Sequence, residues 1–279
     1  DANKLVEEFM LLANRTVAES VGKVAKGKKA KTLPYRIHDN PDPQKLETLR
    51  QFIAKFGYRV KTDGTKGATA RSLNKLMDET EGRPEQKMIQ SVALRAMMKA
   101  KYSVHNIGHF GLAFDYYTHF TSPIRRYADF SIHRILSDYI AGLEKEKLTR
   151  KYRKFAHESA YRASTTELIA VAAERDCDKF YMAEYMRGHV GEEFDGYISG
   201  VIGTGFFVEL ENTVDGKVDT LSLPQGVYEI RDNVALAETL TNTLYTMGDR
   251  VRIKCVRADV AAGLVDFILV EKYPEQAAK

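Results

Sequence analysis

GEEFDGYISGVIGTGFFVEL, residues 191–210, reads as two strand-like runs meeting at glycine punctuation, and it decides what the last third of the chain is. Three more runs follow with glycine or aspartate between them: GKVDTLSL (216–223), DRVRIKCVRADV (249–260) and GLVDFILVE (263–271). Five short runs in about eighty residues predict a small closed or nearly closed β-barrel over residues 189–273, with 274–279 as a tail. Strand side chains alternate between faces, so Phe206 and Phe207 point to opposite sides, one into a core and one outward. Phe194 and Tyr197 are the other aromatic candidates for an outward face, and Arg250, Arg252 and Lys254 alternate onto one face of their strand.

Residues 1–188 carry a different period. Leu5, Phe9, Leu12, Ala13 and Val17 recur at helical spacing and predict an amphipathic helix packed on that stripe. GKVAKGKKAKTLPYRIHDNPD (22–42) then loses periodicity, and its lysines from Lys23 to Lys31 predict an exposed basic loop. Asp42 before Pro43 reads as the N-cap of a helix with Leu46, Leu49, Phe52, Ile53 and Phe56 as its stripe and Gly57 as its end. Further helices are expected around 72–77 and from Pro84, the second burying Ile89, Val92, Ala93, Ala96 and Met97. Gly108 and Gly111 suit no helix interior, so NIGHFGLAFDYY (106–117) is expected as strand or turn-strand. The class is α+β: a mostly helical layer followed by a five-stranded barrel.

A chain of 279 residues with 44% hydrophobic content buries a sizeable core and is expected to form two domains. A net charge of +4 permits an anionic partner without demanding one, so position must carry that inference. Cys177 and Cys255 have no CxxC pairing and read as buried or partly buried thiols of a reducing compartment. No apolar run reaches the length of a membrane span and no signal-peptide pattern opens the chain, so a cytoplasmic protein with no membrane partner is expected. His105, His109 and His119 lack the spacing and carboxylate neighbours of a metal site.

HFTSPIRRYADF (119–130) is where the residues point to chemistry. Thr121 or Ser122 can cap a helix that Pro123 begins, which puts Arg125 and Arg126 in its first turn. That end of a helix disfavours cations and favours anions, so two arginines there indicate a bound anion held by backbone N–H groups and a guanidinium fork. Arg126 can pair with Asp129 three residues on, which leaves Arg125 for the ligand.

NIGHFGLAFDYYTHFTSPIRRYADFSIHRIL resembles the signature near the end of the catalytic domain of the ribonuclease II and ribonuclease R exoribonucleases, the RNB family. EEFMLLAN near the start resembles another block of that domain, and AERDCDKFYMAEYM resembles the helix that links it to a final RNA-binding module. GTGFFVEL and the order of the strand-like runs resemble an S1-type OB-fold, which stacks single-stranded RNA on aromatics beside a basic groove. The resemblance implies 3′–5′ hydrolysis of single-stranded RNA to nucleoside monophosphates with a divalent metal, Mg²⁺. By motif, Arg125 holds the scissile phosphate, Glu174 lies near the terminal nucleotide, and Glu8 or Glu7 recognises ribose hydroxyls. Tyr117 of the signature joins Arg126 and the barrel residues as an RNA-contact candidate. The barrel sequence departs from that pattern twice: Asp219 stands after Val218 where a histidine is usual, and ADVAAG (258–263) is a weakly charged loop.

Metal-assisted hydrolysis needs several carboxylates converging on one or two ions. In this family they form a tight aspartate cluster before the EEF helix, and only Asp39 and Asp42, at the wrong spacing, come near it here. The chain is therefore expected to be the C-terminal part of a longer nuclease, inactive alone, with 1–188 as catalytic-domain remainder and the metal ligands elsewhere. Self-association through uncovered apolar surface is a further expectation. The alternative is a non-catalytic clamp for single-stranded RNA with the same architecture.

Overall fold

Helix α1 (Ala2–Gly22) forms where the helical spacing predicts it, but it buries a different face from the one its apolar stripe marks. Leu5, Phe9 and Leu12 are 59%, 62% and 59% exposed, while Asn14, Ala18, Val21 and Gly22 are buried. Small residues decide this contact: a Cβ at Gly22 would lie 2.4 Å from the Tyr35 hydroxyl, so the approach at that position needs a glycine. The computed structural model describes residues 2–24, 32–61, 66–83, 85–231 and 234–274. Most of the basic loop after Lys23, and Pro84 as a helix start, lie outside the described residues.

After α1 come β1 (Tyr35–Ile37), α2 (Pro43–Ala54), α3 (Lys66–Glu79), α4 (Gln86–Ala96), β2 (Lys101–Ser103), α5 (Tyr127–Ile140) and α6 (Lys145–Arg187). Asp42 accepts the N–H groups of Gln44 and Lys45 at 2.9 and 3.3 Å, so α2 starts with a side-chain cap. Leu46, Leu49, Phe52 and Ile53 are buried, Phe56 is exposed, and Gly57 leaves the helix with φ +84°. Helix α4 buries Ile89, Val92, Ala93 and Ala96.

The chain divides into two compact units, one of Asp1–Arg50, Gly57–Glu79 and Ala93–Ala170, the other of Gln51–Phe56, Thr80–Val92 and Val171–Lys279. The first unit packs Ala18 and Val21 of α1, Tyr35 and Ile37 of β1, Ile132 and Ile135 of α5, and Leu148, Tyr152 and Ala156 of α6 into one core. Strands β1 and β2 pair antiparallel. The segment expected as strand or turn-strand after β2 forms no extended strand: it is a loop around a 3₁₀ turn, Phe110–Leu112, in which His109 makes single bridges to His38 and Phe114. Its backbone is satisfied by His38, whose carbonyl accepts Phe110 N–H at 2.9 Å and whose Nδ1 accepts Gly111 N–H at 3.0 Å.

The second unit holds a closed five-stranded barrel, β3 (Glu193–Ile202), β4 (Gly205–Leu210), β5 (Asp215–Asp219), β9 (Arg250–Asp259) and β10 (Leu264–Lys272), in the order β10-β5-β4-β3-β9. All pairs are antiparallel except β5 with β10, the strand order of an OB-fold. Ile198, Phe206, Val208, Val218, Val251, Ile253, Cys255 and Phe267 fill the interior. A three-stranded sheet not expected from the sequence, β6 (Tyr228–Arg231), β7 (Ala235–Glu238) and β8 (Leu244–Thr246), lies between β5 and β9 in the chain, and its Leu236 and Tyr245 complete the same core. Cys177 is exposed on α6, unlike the buried Cys255, and both are free thiols. Among the described residues no helix is long and apolar enough to cross a membrane.

Candidate nucleic-acid interface

The arginine pair sits before a helix, not in it. Pro123–Arg125 form a turn in which Ser122 carbonyl accepts the N–H groups of Arg125 and Arg126 at 3.3 and 3.0 Å, and α5 starts at Tyr127. Arg126 is the N-cap residue by backbone, with φ −124° and no side-chain cap. The first-turn placement expected from Pro123 is thus four residues early, and the reason is Asp129. Buried in the first turn of α5, its Oδ2 reaches back to accept Ser122 N–H at 2.8 Å and Arg126 Nη2 and Nε at 2.8 and 3.1 Å. The carboxylate supplies the anion a helix start favours and ties the preceding turn to it. Arg126 is accounted for by this pair. Arg125 is exposed, and its guanidinium has no hydrogen bond or ion pair among the described residues.

Behind the turn lies a polar network that sequence reasoning missed. Arg36 of β1 makes a two-pronged contact with Glu167 of α6, Nη1 to Oε2 at 2.6 Å and Nη2 to Oε1 at 3.0 Å, and its guanidinium lies 4.7 Å over the Tyr102 ring. The Tyr102 hydroxyl and His119 Nδ1 share a 2.7 Å hydrogen bond. Burial, then Arg126 and Arg36, push the His119 pKa down to about 3. Burial, then His38 and Arg36, push His109 down to about 4, so both imidazoles are neutral at neutral pH. Only residues 36 and 167, 131 positions apart, would have had to be paired to see this in the sequence.

The remaining candidates separate clearly. Tyr117 is a core residue, 4% exposed, with its hydroxyl accepting Asn14 Nδ2 at 3.2 Å and its ring against His109, Phe114 and His119; it offers no face to a base. Glu7 and Glu8 are exposed on α1, and Glu174 is exposed on α6 in the second unit. On the barrel, Phe206 is fully buried and stacks on Tyr245 in the core, so it is no RNA platform; Phe207 faces outward, half-buried, between Lys217 and Gly200 on the neighbouring strands. Tyr197 is 43% exposed and Phe194 half-buried against the core.

Strand register sets Glu193 opposite Lys254, Asp195 opposite Arg252 and Tyr197 opposite Arg250, so the expected basic row faces a row that carries two acids. Asp195 accepts Arg250 Nη2 at 3.1 Å, Arg252 Nε at 3.2 Å and the Tyr273 hydroxyl at 2.8 Å. Those bonds, Tyr273 first, hold its carboxyl below the usual carboxylate range. Asp219 caps the 3₁₀ turn Thr220–Ser222 through Leu221 N–H at 3.0 Å and accepts Lys217 Nζ at 2.7 Å. Among the described residues no group of three or more His, Cys, Asp or Glu side chains could hold a metal ion. Asp42 is committed to the α2 cap and Asp39 to Asn40 N–H at 2.8 Å, so neither fits the role of a divalent-metal ligand.

The family model for the RNB domain matches residues 1–142. The chain is 39% identical over 277 residues to Ribonuclease R of Aquifex aeolicus (strain VF5), covering 97% of this chain and 37% of that protein. The apo form of Mycoplasma genitalium RNase R superposes with a TM-score of 0.85 at 26% identity, covering 96% of this chain and 42% of that one. The same enzyme in complex with ribose-methylated single-stranded RNA gives a TM-score of 0.85 at 25% identity, with the same coverage of 96% and 42%. The chain thus spans little more than a third of the curated relative's length. With half of its residues matched by the domain and nearly all of its length by these relatives, the chain belongs to the RNB family.

Proposed function

We propose that this chain is part of a processive 3′–5′ exoribonuclease that hydrolyses single-stranded RNA to nucleoside 5′-monophosphates in the cytoplasm. Residues 1–188 are the later portion of its catalytic domain, 189–273 an S1-type RNA-binding domain and 274–279 a tail. The divalent metal is Mg²⁺, and its carboxylate ligands are not among the residues of this sequence. Arg125 binds the scissile phosphate, Glu174 the terminal nucleotide, and Glu8, with Glu7 beside it, the ribose hydroxyls. The Mycoplasma genitalium relative bound to single-stranded RNA supports RNA as the partner. The exposed Leu5, Phe9 and Leu12 support self-association of the chain on its own.

One observation carries the reading: of two adjacent arginines, Asp129 neutralises Arg126 and leaves the Arg125 guanidinium exposed without a partner among the described residues. An arginine held on a rigid turn with its donors free is suited to a phosphate. In a protein that joins this chain to the metal-binding carboxylates, Arg125→Ala is expected to lower turnover of single-stranded RNA by about 10²–10³-fold. Unchanged turnover rejects the assignment. The chain alone, with single-stranded RNA and Mg²⁺, is expected to release no nucleoside monophosphates; release would show that it carries its own metal site.

A further inference from the structure

Six cationic side chains stand on the five barrel strands: Lys217, Arg250, Arg252, Lys254, Arg257 and Lys272. Five are already paired. Lys217 meets Asp219 at 2.7 Å, Arg257 meets Asp259 at 2.7 Å and Asp266 at 3.8 Å, and Lys272 meets Asp249 at 2.7 Å. Arg250 and Arg252 share Asp195, and both guanidinium groups lie over the Tyr273 ring, at 5.1 and 5.7 Å. Lys254 alone makes no ion pair among the described residues. Asp195 and Arg252 also line an open cleft of about 560 Å³ with Phe194 and Asn212, so the cluster is accessible to a strand of RNA.

We infer that Asp195 is an internal competitor for RNA phosphate: it holds the donors of both Arg250 and Arg252 and offsets one of their two charges, and the barrel takes single-stranded RNA by its bases more than by its backbone. The inference rests on the RNA-binding reading above. A phosphate that displaced Asp195 would break two ion pairs and a tyrosine hydrogen bond and leave a carboxylate beside the incoming anion, so the exchange gains little. Stacking on Tyr197 and Phe207 involves no such exchange and releases no counterions. Each phosphate neutralised on a single strand contributes about 0.7 to the slope of log K against log salt, so engaging both arginines would add about 1.4.

The test is the salt dependence of binding, by the whole chain, of an oligouridylate of about a dozen nucleotides. Asp195→Asn frees both arginines and is expected to steepen the slope by about 1.4. Arg252→Ala is expected to leave the slope of the unsubstituted chain unchanged and to remove about 0.7 from that of Asp195→Asn. The arm with an intact Asp195 keeps the inference falsifiable even where Asp195→Asn disturbs the barrel: a flatter slope in Arg252→Ala alone means that this arginine already holds phosphate and overturns it. Binding with one common slope in all variants also overturns it while leaving the RNA-binding reading intact. No binding by any variant overturns both.

Discussion

Arg126 closes on a single oxygen of Asp129, Nη2 at 2.8 Å and Nε at 3.1 Å, and that carboxylate is fully buried. Removing one partner of a buried pair leaves an uncompensated charge, at a cost of about 3–5 kcal/mol. Asp129→Ala is expected to destabilise the chain by that amount in denaturant unfolding and to release the Ser122 turn. Arg125→Ala, one residue from the pair but exposed, is expected to change stability by less than about 0.5 kcal/mol. Equal losses in the two variants would contradict the division of roles between the arginines.

Phe206 and Phe207 are neighbours with opposite duties. Truncating the fully buried Phe206 to alanine is expected to cost about 3–5 kcal/mol of barrel stability, since its ring packs against Tyr245. Phe207→Ala is expected to leave unfolding nearly unchanged and to weaken oligouridylate binding by about 1–3 kcal/mol. Fluorescence anisotropy beside a thermal melt separates the two; a Phe207 variant that binds normally rules out its stacking role.

The neutral histidines give stability a pH dependence with a definite sign. His119 and His109 titrate near 6.5 when unfolded but are held down to about 3 and about 4 in the fold. Below pH 6.5 the unfolded chain binds protons that the folded chain refuses, so stability is full above that pH and falls as pH drops towards about 4. Thermal melts between pH 7 and pH 5 should show the decline, before most carboxylates titrate. In a His109→Gln, His119→Gln double variant the decline should shrink, and an unchanged slope would assign it elsewhere.

Gly205 opens β4 with φ +142°, and a Cβ there would lie 2.0 Å from the Val218 carbonyl oxygen on the paired strand. Backbone cannot yield as a side-chain tip can, so Gly205→Ala is expected to cost about 3 kcal/mol, from strain and a broken β4–β5 register. Gly203→Ala, two residues away with nothing within 4 Å of its Cβ, is the matched control. Comparable melting temperatures for both would refute the close approach.

The five barrel strands were legible because each long strand alternates, as in the pattern of buried Ile198, Val208, Val251 and Ile253 against outward neighbours. The sheet of β6, β7 and β8 was not: YEIR and ALAE are four residues each, and β7 is buried on both faces, so neither shows a two-residue period. The α5 boundary misled because proline is common at a helix start, whereas here a carboxylate seven residues after Ser122 holds Pro123 in a separate turn. At the site, the Arg126–Asp129 pair could be read from its spacing of three. The bonds of Asp195 to Arg250 and Arg252 could not, since strand register alone joins residues 55 and 57 positions apart.

Strand β10 closes the barrel between β5 and β9, parallel to one and antiparallel to the other. Until Leu264–Lys272 has left the ribosome, both of those strands carry an open edge, and β5 waits about fifty residues for the strand that covers it. Synthesis through the β6–β8 insertion is therefore the interval in which the nascent barrel is most exposed to edge-to-edge association, and loss of this single strand would make that exposure permanent.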